Sequence, residues 1–170
     1  MDAMTNLLER RSIRKYETKQ VPDELLDKVL EAGLYAPSGM NTQNVYMGAV
    51  QDKETRDLLM KLNAAVMGRD GDPFYGAPCV IVVLGDAEGY PVVENGSLVL
   101  GNLMNAAYAV GLGSCWIHRA KQTFDTEEGK ALLKKWGLPE NLVGIGNCIL
   151  GYAAENPDAR PRKEGRIVKV

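Results

Sequence analysis

Residues 79–84, with the sequence Cys-Val-Ile-Val-Val-Leu, form an uninterrupted apolar run of strand length. A strand with one solvated face alternates apolar and polar side chains, so a run without alternation is typical of a strand covered on both faces. We therefore expect this segment at the centre of a sheet that lies between two layers of helices. The chain has 170 residues and a hydrophobic fraction of 45%, enough to bury such a core within one domain, residues 1–170.

The remaining apolar residues predict several helices and strands around this run. Helical spacing predicts helices over residues 2–10, 22–34, 53–67, 92–110 and 126–136. Strands are predicted over residues 45–50, 114–118 and 143–150, with an edge strand at 167–170. Because helices open the chain and some connecting segments are irregular, this order favours an α+β fold with a mixed sheet over a doubly wound fold. The helix at 92–110 is apolar nearly all round, which predicts that a partner subunit covers part of it.

Charge and hydropathy exclude several classes of protein. The formal net charge is −2, and no block of like charges occurs outside the basic tail of residues 154–170, so nucleic-acid binding is not indicated. The apolar stretch 98–112 is interrupted by Asn102 and Asn105 and falls short of the ~20 apolar residues that a membrane span needs. Residues 1–11 lack the apolar core of a secretion signal. We expect a cytoplasmic protein.

The cysteines do not point to a metal site. Cys79, Cys115 and Cys148 lie far apart in apolar runs, and His118 is the single histidine, so buried free thiols are expected. A hydrolase built on Cys115 and His118 is also disfavoured, because a strand places residues three apart on opposite faces.

Two basic clusters lie at opposite ends of the sequence. The first follows the opening helix and comprises Arg10, Arg11, Ser12 and Arg14. Its planar guanidinium groups and its hydroxyl suit an oxyanion such as phosphate. The second contains Arg160 and Arg162, and the prolines at 157 and 161 hold it extended, so that alternate side chains face one way. Taken alone, the first cluster is more typical of a solvated basic turn, and the second is also compatible with a loose tail. The two together favour one shared anionic ligand.

Residues 36–43, Ala-Pro-Ser-Gly-Met-Asn-Thr-Gln, form a loop with several amide groups. Gly39 allows a close backbone approach, and the side chains of Asn41 and Gln43 carry both donors and acceptors. Such a loop suits the edge of a heterocycle such as a flavin or a base, although a plain turn explains it nearly as well. The Gly-Leu-Gly at 111–113 lacks the third glycine of a dinucleotide-binding turn and follows a helix, which disfavours a Rossmann fold.

Taken in order, these segments resemble the nitroreductase family, particularly its short members. The resemblance spans nearly the whole chain, from Arg-Arg-Ser-Ile-Arg through Ala-Pro-Ser-Gly-Met-Asn-Thr-Gln and Gly-Leu-Gly-Ser-Cys-Trp-Ile to Leu-Gly-Tyr and Arg-Pro-Arg-Lys. It implies a three-layer α+β sandwich that forms an intertwined homodimer, with FMN at the subunit interface and NADH or NADPH as co-substrate. It also implies that the tail at 154–170 contributes to the cofactor site and the dimer.

The resemblance implies a cofactor site made of Arg10, Arg11, Ser12, Arg14, Pro37, Ser38, Asn41, Gln43, Trp116, Ile117, His118, Arg119, Arg160 and Arg162. In this resemblance Arg10, Ser12, Arg160 and Arg162 would hold the FMN phosphate, and Arg14 would lie beside N1 and O2 of the ring. The loop at 36–43 would reach the flavin of the other subunit. The backbone at His118 and Arg119 would approach flavin N5, with Trp116 and Ile117 lining the ring.

The implied activity is reduction of small organic acceptors, such as nitroaromatics or quinones, by a ping-pong mechanism. No catalytic side chain is expected, because the flavin carries the hydride and Arg14 tunes the ring. Alternatives of the same fold are a flavin-binding or flavin-storage protein, and a relative that uses FMN for another reduction such as dehalogenation. Many family members have Gln-Pro-Trp where this chain has Gln-Asn-Val at 43–45, so the packing of that loop differs.

Overall fold

The apolar run lies in the second of four strands, at the interior of the sheet. In the computed structural model, which describes residues 2–170, the strands are β1 (Val45–Val50), β2 (Cys79–Asp86), β3 (Gly113–Ile117) and β4 (Leu142–Gly151). The sheet order is β1-β2-β4-β3, and every neighbouring pair of these strands is antiparallel. Residues 79–84 are all 0% exposed, so the prediction of a strand covered on both faces is confirmed.

Six α-helices cover the two faces of the sheet. They are α1 (Ala3–Glu9), α2 (Asp23–Leu34), α3 (Lys53–Met67), α4 (Val92–Ala109), α5 (Ala120–Phe124) and α6 (Glu127–Lys135). Leu26 of α2, Leu103 of α4 and Ile81 of β2 belong to one hydrophobic core on one face of the sheet. Leu59 of α3 and Leu133 of α6 belong to the separate core on the other face. The predicted α+β sandwich is therefore confirmed.

Local capping sets the helix ends that the sequence predicted well. The Asp52 side chain accepts a hydrogen bond from the Thr55 N–H at 2.8 Å and begins α3. Gly68 ends the same helix in the left-handed conformation, with φ of 65°. These signals lie within a few residues of the helix, which explains why the predicted range 53–67 matches the observed one.

Two predictions about the sheet need correction. The sheet is not mixed among its strands; the parallel pairing is an isolated bridge between Ser12 and Ser114. The edge strand predicted at 167–170 is wrong for the single chain, where Ile167 and Val168 are 84% and 81% exposed. A short alternating segment forms a strand only where a neighbour accepts its hydrogen bonds, and residues 167–170 have no such neighbour within the described chain.

The glycines of β4 have a packing role rather than a phosphate-binding one. A Cβ atom at Gly144 would lie 2.3 Å from the carbonyl group of Ala120, so glycine lets the start of α5 lie directly on the strand. A Cβ atom at Gly146 would lie 2.6 Å from Nε1 of Trp116. These two close approaches fix α5 and Trp116 on either side of the short segment that follows β3.

Apolar surface remains on α1 and α4. The exposed side chains are Met4, Leu7 and Leu8 of α1 and Val93 and Leu98 of α4. The interior face of α4 is fully buried at Leu100 and Leu103, so the helix is covered on one side only. No helix within residues 2–170 combines the length and hydropathy that crossing a membrane requires.

Candidate functional site

The beginning and the end of the chain pair with each other beside β3. Tyr16 forms an antiparallel bridge with Ala153, and the Ala154 N–H donates to the Lys15 carbonyl at 2.9 Å. The Ile13 N–H donates to the Ser114 carbonyl at 3.0 Å, which attaches the same segment to β3. These backbone contacts determine where the two basic clusters lie.

The pairing brings both basic clusters around one cavity of about 510 Å³. This basic cavity is lined by Arg10, Arg11, Ser12, Arg14, Pro157, Asp158, Arg160 and Arg162. None of its guanidinium groups has a carboxylate within salt-bridge distance among residues 2–170. Five arginines facing a single carboxylate make this cavity strongly positive, which favours an anion.

Arg10 and Arg11 differ in the hydrogen bonds that they form within the chain. The Arg11 Nη1 group donates to the carbonyls of Leu8 and Arg10 at 2.7 and 2.8 Å, so it caps the end of α1. The Nη1 group of Arg10 is buried and has no hydrogen-bond partner in the described chain, and neither does the Ser114 hydroxyl. A buried donor without a partner costs free energy, and a ligand oxygen would remove that cost for Arg10.

A second cavity, of about 440 Å³, lies at the end of β3 and shares Arg14 with the basic cavity. Its wall includes the predicted residues Trp116, Ile117, His118 and Arg119. We call it the strand-end cavity. Because Arg14 lines both cavities, a ligand with a charged end and a flat end can occupy the two together.

Another part of the wall of the strand-end cavity comes from the end of α3 and the segment that connects it to β2. It consists of Met67, Arg69, Asp70, Gly71, Asp72, Pro73 and Tyr75. Asp72 fixes this wall, since its carboxylate accepts from the Phe74 and Gly76 N–H groups at 2.7 and 2.8 Å. The buried Arg56 donates to the Asp72 carboxylate at 2.6 Å and to the Ala77 carbonyl at 3.1 Å.

Two buried asparagine side chains hold the end of β3 and the residue that follows it. The Nδ2 group of Asn63 donates to the His118 carbonyl at 2.8 Å, and that of Asn147 donates to the Ile117 carbonyl at 3.4 Å. Arg119 follows in the left-handed conformation, with φ of 75°. Neither asparagine was singled out from the sequence, because an isolated amide inside a helix or strand gives no recognisable pattern.

The loop at 36–43 lines neither of these two cavities. Three of its residues, Met40, Asn41 and Gln43, have positive φ of 52°, 55° and 48°. Asn95 of α4 stabilises the loop, since its Oδ1 atom accepts a hydrogen bond from the Gly39 N–H at 2.9 Å. Within one chain, the structure therefore does not bring Pro37, Ser38, Asn41 or Gln43 to the other predicted site residues.

The three thiols are buried, as predicted. Burial raises the pKa of Cys79 to about 12 and also raises the pKa of Cys148. Cys115 contributes to the strand-end cavity but is only 2% exposed. Within the described part of the chain, no cluster of three or more His, Cys, Asp or Glu side chains could hold a metal ion.

The donor set fits a phosphate monoester attached to a flat heterocycle. Guanidinium groups from both ends of the chain surround the basic cavity, and the unpartnered Arg10 Nη1 group would donate a hydrogen bond to a ligand oxygen. The exposed ring of Trp116 and the buried side chain of Ile117 give the strand-end cavity an apolar part of its wall. Such a pair of cavities can hold a mononucleotide-like cofactor.

Comparison with known proteins points in the same direction. A sequence model described as the Nitroreductase family matches residues 7–69. A relative from Archaeoglobus fulgidus, named as an NADH dehydrogenase/NAD(P)H nitroreductase, is 35% identical over 155 residues, which are 88% of this chain and 84% of that protein. A relative with the same name from Methanothermobacter thermautotrophicus is 30% identical over 165 residues, and the alignment covers 94% of this chain and 82% of that protein. The crystal structure of a nitroreductase with bound FMN from Bacteroides fragilis is 30% identical, covers 100% of both chains and superimposes with a TM-score of 0.90.

Proposed function

The chain belongs to the nitroreductase family, and we propose that it takes a hydride from NAD(P)H and passes it to small organic acceptors such as nitroaromatics or quinones. It is an FMN-dependent oxidoreductase, and FMN when bound supplies the two-electron carrier for both half-reactions. The observation that carries the proposal is the basic cavity, which both ends of the chain build and which adjoins the strand-end cavity through Arg14.

The residues of the basic cavity suit a terminal phosphate. Arg10, Ser12, Arg160 and Arg162 would hold it, and the unpartnered Nη1 group of Arg10 would gain an acceptor. Arg11 is partly used in capping α1, so we assign it a supporting role. Several charge-assisted hydrogen bonds to one dianion give specificity for a monophosphate over an uncharged ribityl chain.

The strand-end cavity suits the isoalloxazine ring. Trp116 and Ile117 would line the ring, the backbone of His118 and Arg119 would approach it, and Arg14 would place a fixed positive charge at its edge. No acid–base side chain is needed for hydride transfer, so the protein contributes binding, orientation and electrostatic stabilisation. NAD(P)H and the acceptor would use one cavity in turn, which gives ping-pong kinetics.

The experiment that tests this function starts from the purified protein. We expect it to be yellow and to release FMN rather than FAD on denaturation, and to oxidise NAD(P)H in steady state when a quinone is supplied. A colourless protein that does not take up FMN would contradict the proposal. A yellow protein without turnover on any acceptor would instead identify a flavin-binding or flavin-storage protein.

We propose that the working unit is a homodimer in which the loop at 36–43 and the tail at 154–170 complete the site. The loop residues Ser38, Asn41 and Gln43 lie away from both cavities of their own chain, and α1 and α4 expose apolar side chains. We expect a dimer in analytical sedimentation at micromolar concentration, because obligate interfaces commonly bury more than about 2,000 Å². A stable monomer that binds FMN fully would contradict the shared site.

A substitution at Arg14 tests the electrostatic role assigned to the ring edge. Arg14→Met keeps much of the side-chain bulk and removes the charge, so reduction of the bound FMN should become less favourable. We expect the midpoint potential to fall by about 30 mV, which corresponds to about 1.4 kcal/mol for a two-electron couple. The matched control is Lys15→Met, an exposed neighbour that lines neither cavity and should leave the potential unchanged. An unchanged potential in fully loaded Arg14→Met would show that Arg14 does not contact the ring.

A further inference from the structure

We propose that Asn63 is a positioning residue that turns the backbone N–H of Arg119 toward the strand-end cavity. The ligand side of this inference rests on the proposed function, because the acceptor that we assign to this N–H is the flavin. The direction of the N–H group is a property of this chain alone, and the experiment below tests it separately.

The amide of Asn63 fixes the direction of one peptide group at the cavity wall. Asn63 lies on α3, is 0% exposed, and donates from Nδ2 to the His118 carbonyl at 2.8 Å. In a trans peptide the C=O and N–H groups point in opposite directions. Since the His118 carbonyl points at α3, the N–H of Arg119 in the same peptide group points away from it. Both residues line the strand-end cavity, and an N–H of Arg119 that is directed away from α3 is placed to reach a ligand there.

The turn at Arg119 is held in a conformation that it would not adopt freely. Arg119 has φ of 75° and ψ of 12°, a region that is unfavourable for a residue with a Cβ atom. Its carbonyl accepts from the Thr123 N–H at 3.0 Å, which fixes the next peptide group. Its own N–H has no acceptor within residues 2–170. Asn63 and Thr123 thus hold an unpartnered donor at the cavity wall.

The amide at position 63 is only half satisfied. The Oδ1 atom of Asn63 is buried and has no hydrogen-bond partner in the described chain. An apolar side chain here, such as that of Leu59 one turn earlier on α3, would remove this cost but would leave the His118 carbonyl without its donor, so the amide is retained for this one hydrogen bond. A role in orienting the Arg119 peptide accounts for a polar group at this point of the core.

In the flavin that we propose for this cavity, an unprotonated ring nitrogen can accept from such a donor. FMN offers one at N5, the atom that receives the hydride, and a fixed donor there polarises the ring at the reacting position. Asn63 acts on this atom only through the peptide group that it orients and does not itself contact the ligand.

The test uses Asn63→Ala, with Leu59→Ala as the matched control on the same helix. In both variants and in the parent protein, residual dipolar couplings report the direction of the Arg119 N–H bond without any ligand. We expect a shifted coupling at Arg119 in Asn63→Ala and an unchanged one in Leu59→Ala, although the control should have the lower melting temperature. Equal couplings at Arg119 in all three proteins would overturn the proposal. Asn63→Leu fills the volume without a donor and gives the same result if the alanine variant does not fold.

A second measurement tests whether flavin N5 accepts the hydrogen bond from the Arg119 N–H. With FMN labelled by ¹⁵N at N5, we expect loss of the N5 hydrogen-bond shift in Asn63→Ala and its retention in Leu59→Ala. An N5 resonance that stays in place while the Arg119 coupling shifts would overturn the assignment of N5 as the acceptor. Failure of the parent protein to bind FMN would overturn the proposed function and leave the dipolar couplings as the decisive test of Asn63.

Discussion

Replacing Arg160 and Arg162 together by alanine should lower FMN affinity by about a hundredfold or more. Hydrogen bonds to charged groups contribute roughly 1.5–3 kcal/mol each, and both side chains are exposed, so we take the lower end, about 3 kcal/mol for the pair. At about 1.4 kcal/mol per factor of ten, this is a change of roughly two decades in the dissociation constant. Riboflavin, which lacks the phosphate, should bind the variant and the parent protein about equally. Fluorescence titration measures both constants.

The matched control for this double variant removes the same charge from the exposed side of a helix. Lys134→Ala with Lys135→Ala takes away two positive charges of α6 that line neither cavity. We expect this control to keep FMN affinity within about threefold, because exposed charges that do not contact the ligand are largely screened at physiological salt. If FMN and riboflavin weaken equally in Arg160→Ala with Arg162→Ala, the two arginines support the fold and do not recognise phosphate.

The second large effect is expected on stability, at the wall of the strand-end cavity. Asp72→Ala removes the 2.6 Å ion pair with Arg56 and the acceptor for two backbone N–H groups. Removing one partner of a buried pair costs about 3–5 kcal/mol, and since the Asp72 side chain is 30% exposed we expect about 3 kcal/mol. For a chain of this size the melting temperature should fall by about 6–12 °C.

Asp70→Ala provides the comparison for this second prediction. Asp70 is exposed, lies two residues away in the same wall, and forms no ion pair within residues 2–170. Surface substitutions of this kind usually change stability by no more than about 0.5 kcal/mol. Both variants are compared by thermal denaturation at equal protomer concentration, because dimer formation makes the melting temperature concentration-dependent. Equal melting temperatures for the two variants would show that Arg56 and Asp72 do not fix this wall.

Features encoded over a few neighbouring residues were predicted accurately from the sequence. The strand at Val45–Val50 and the helix at Lys53–Met67 have the predicted bounds, and the residues that cap the helix, Asp52 and Gly68, are its immediate neighbours in the sequence. The two basic clusters were recognised separately by composition. The structure adds the backbone pairing of Tyr16 with Ala153, which places both clusters on one cavity.

Features that depend on distant contacts could not be predicted. The end of β3 is oriented by Asn63, 55 positions away along the chain, and a lone amide within a helix has no signature of its role. The helix α5 has five residues, too few for helical periodicity, and its position depends on the close approach of Gly144 to Ala120. The segment at 167–170 alternates as a strand does, but its pairing would require a neighbour that the isolated chain does not supply.

The pairing of the two chain ends also sets the moment during protein synthesis at which the phosphate site becomes complete. Arg160 and Arg162 leave the ribosome after every strand of the sheet, since β4 ends at Gly151. A nascent chain halted after β4 would contain the complete sheet and half of the phosphate-binding groups. The stabilisation that a ligand supplies grows with its affinity for the folded state. FMN therefore adds its full stabilisation only after the tail has been made, and until then the sheet relies mainly on its own packing.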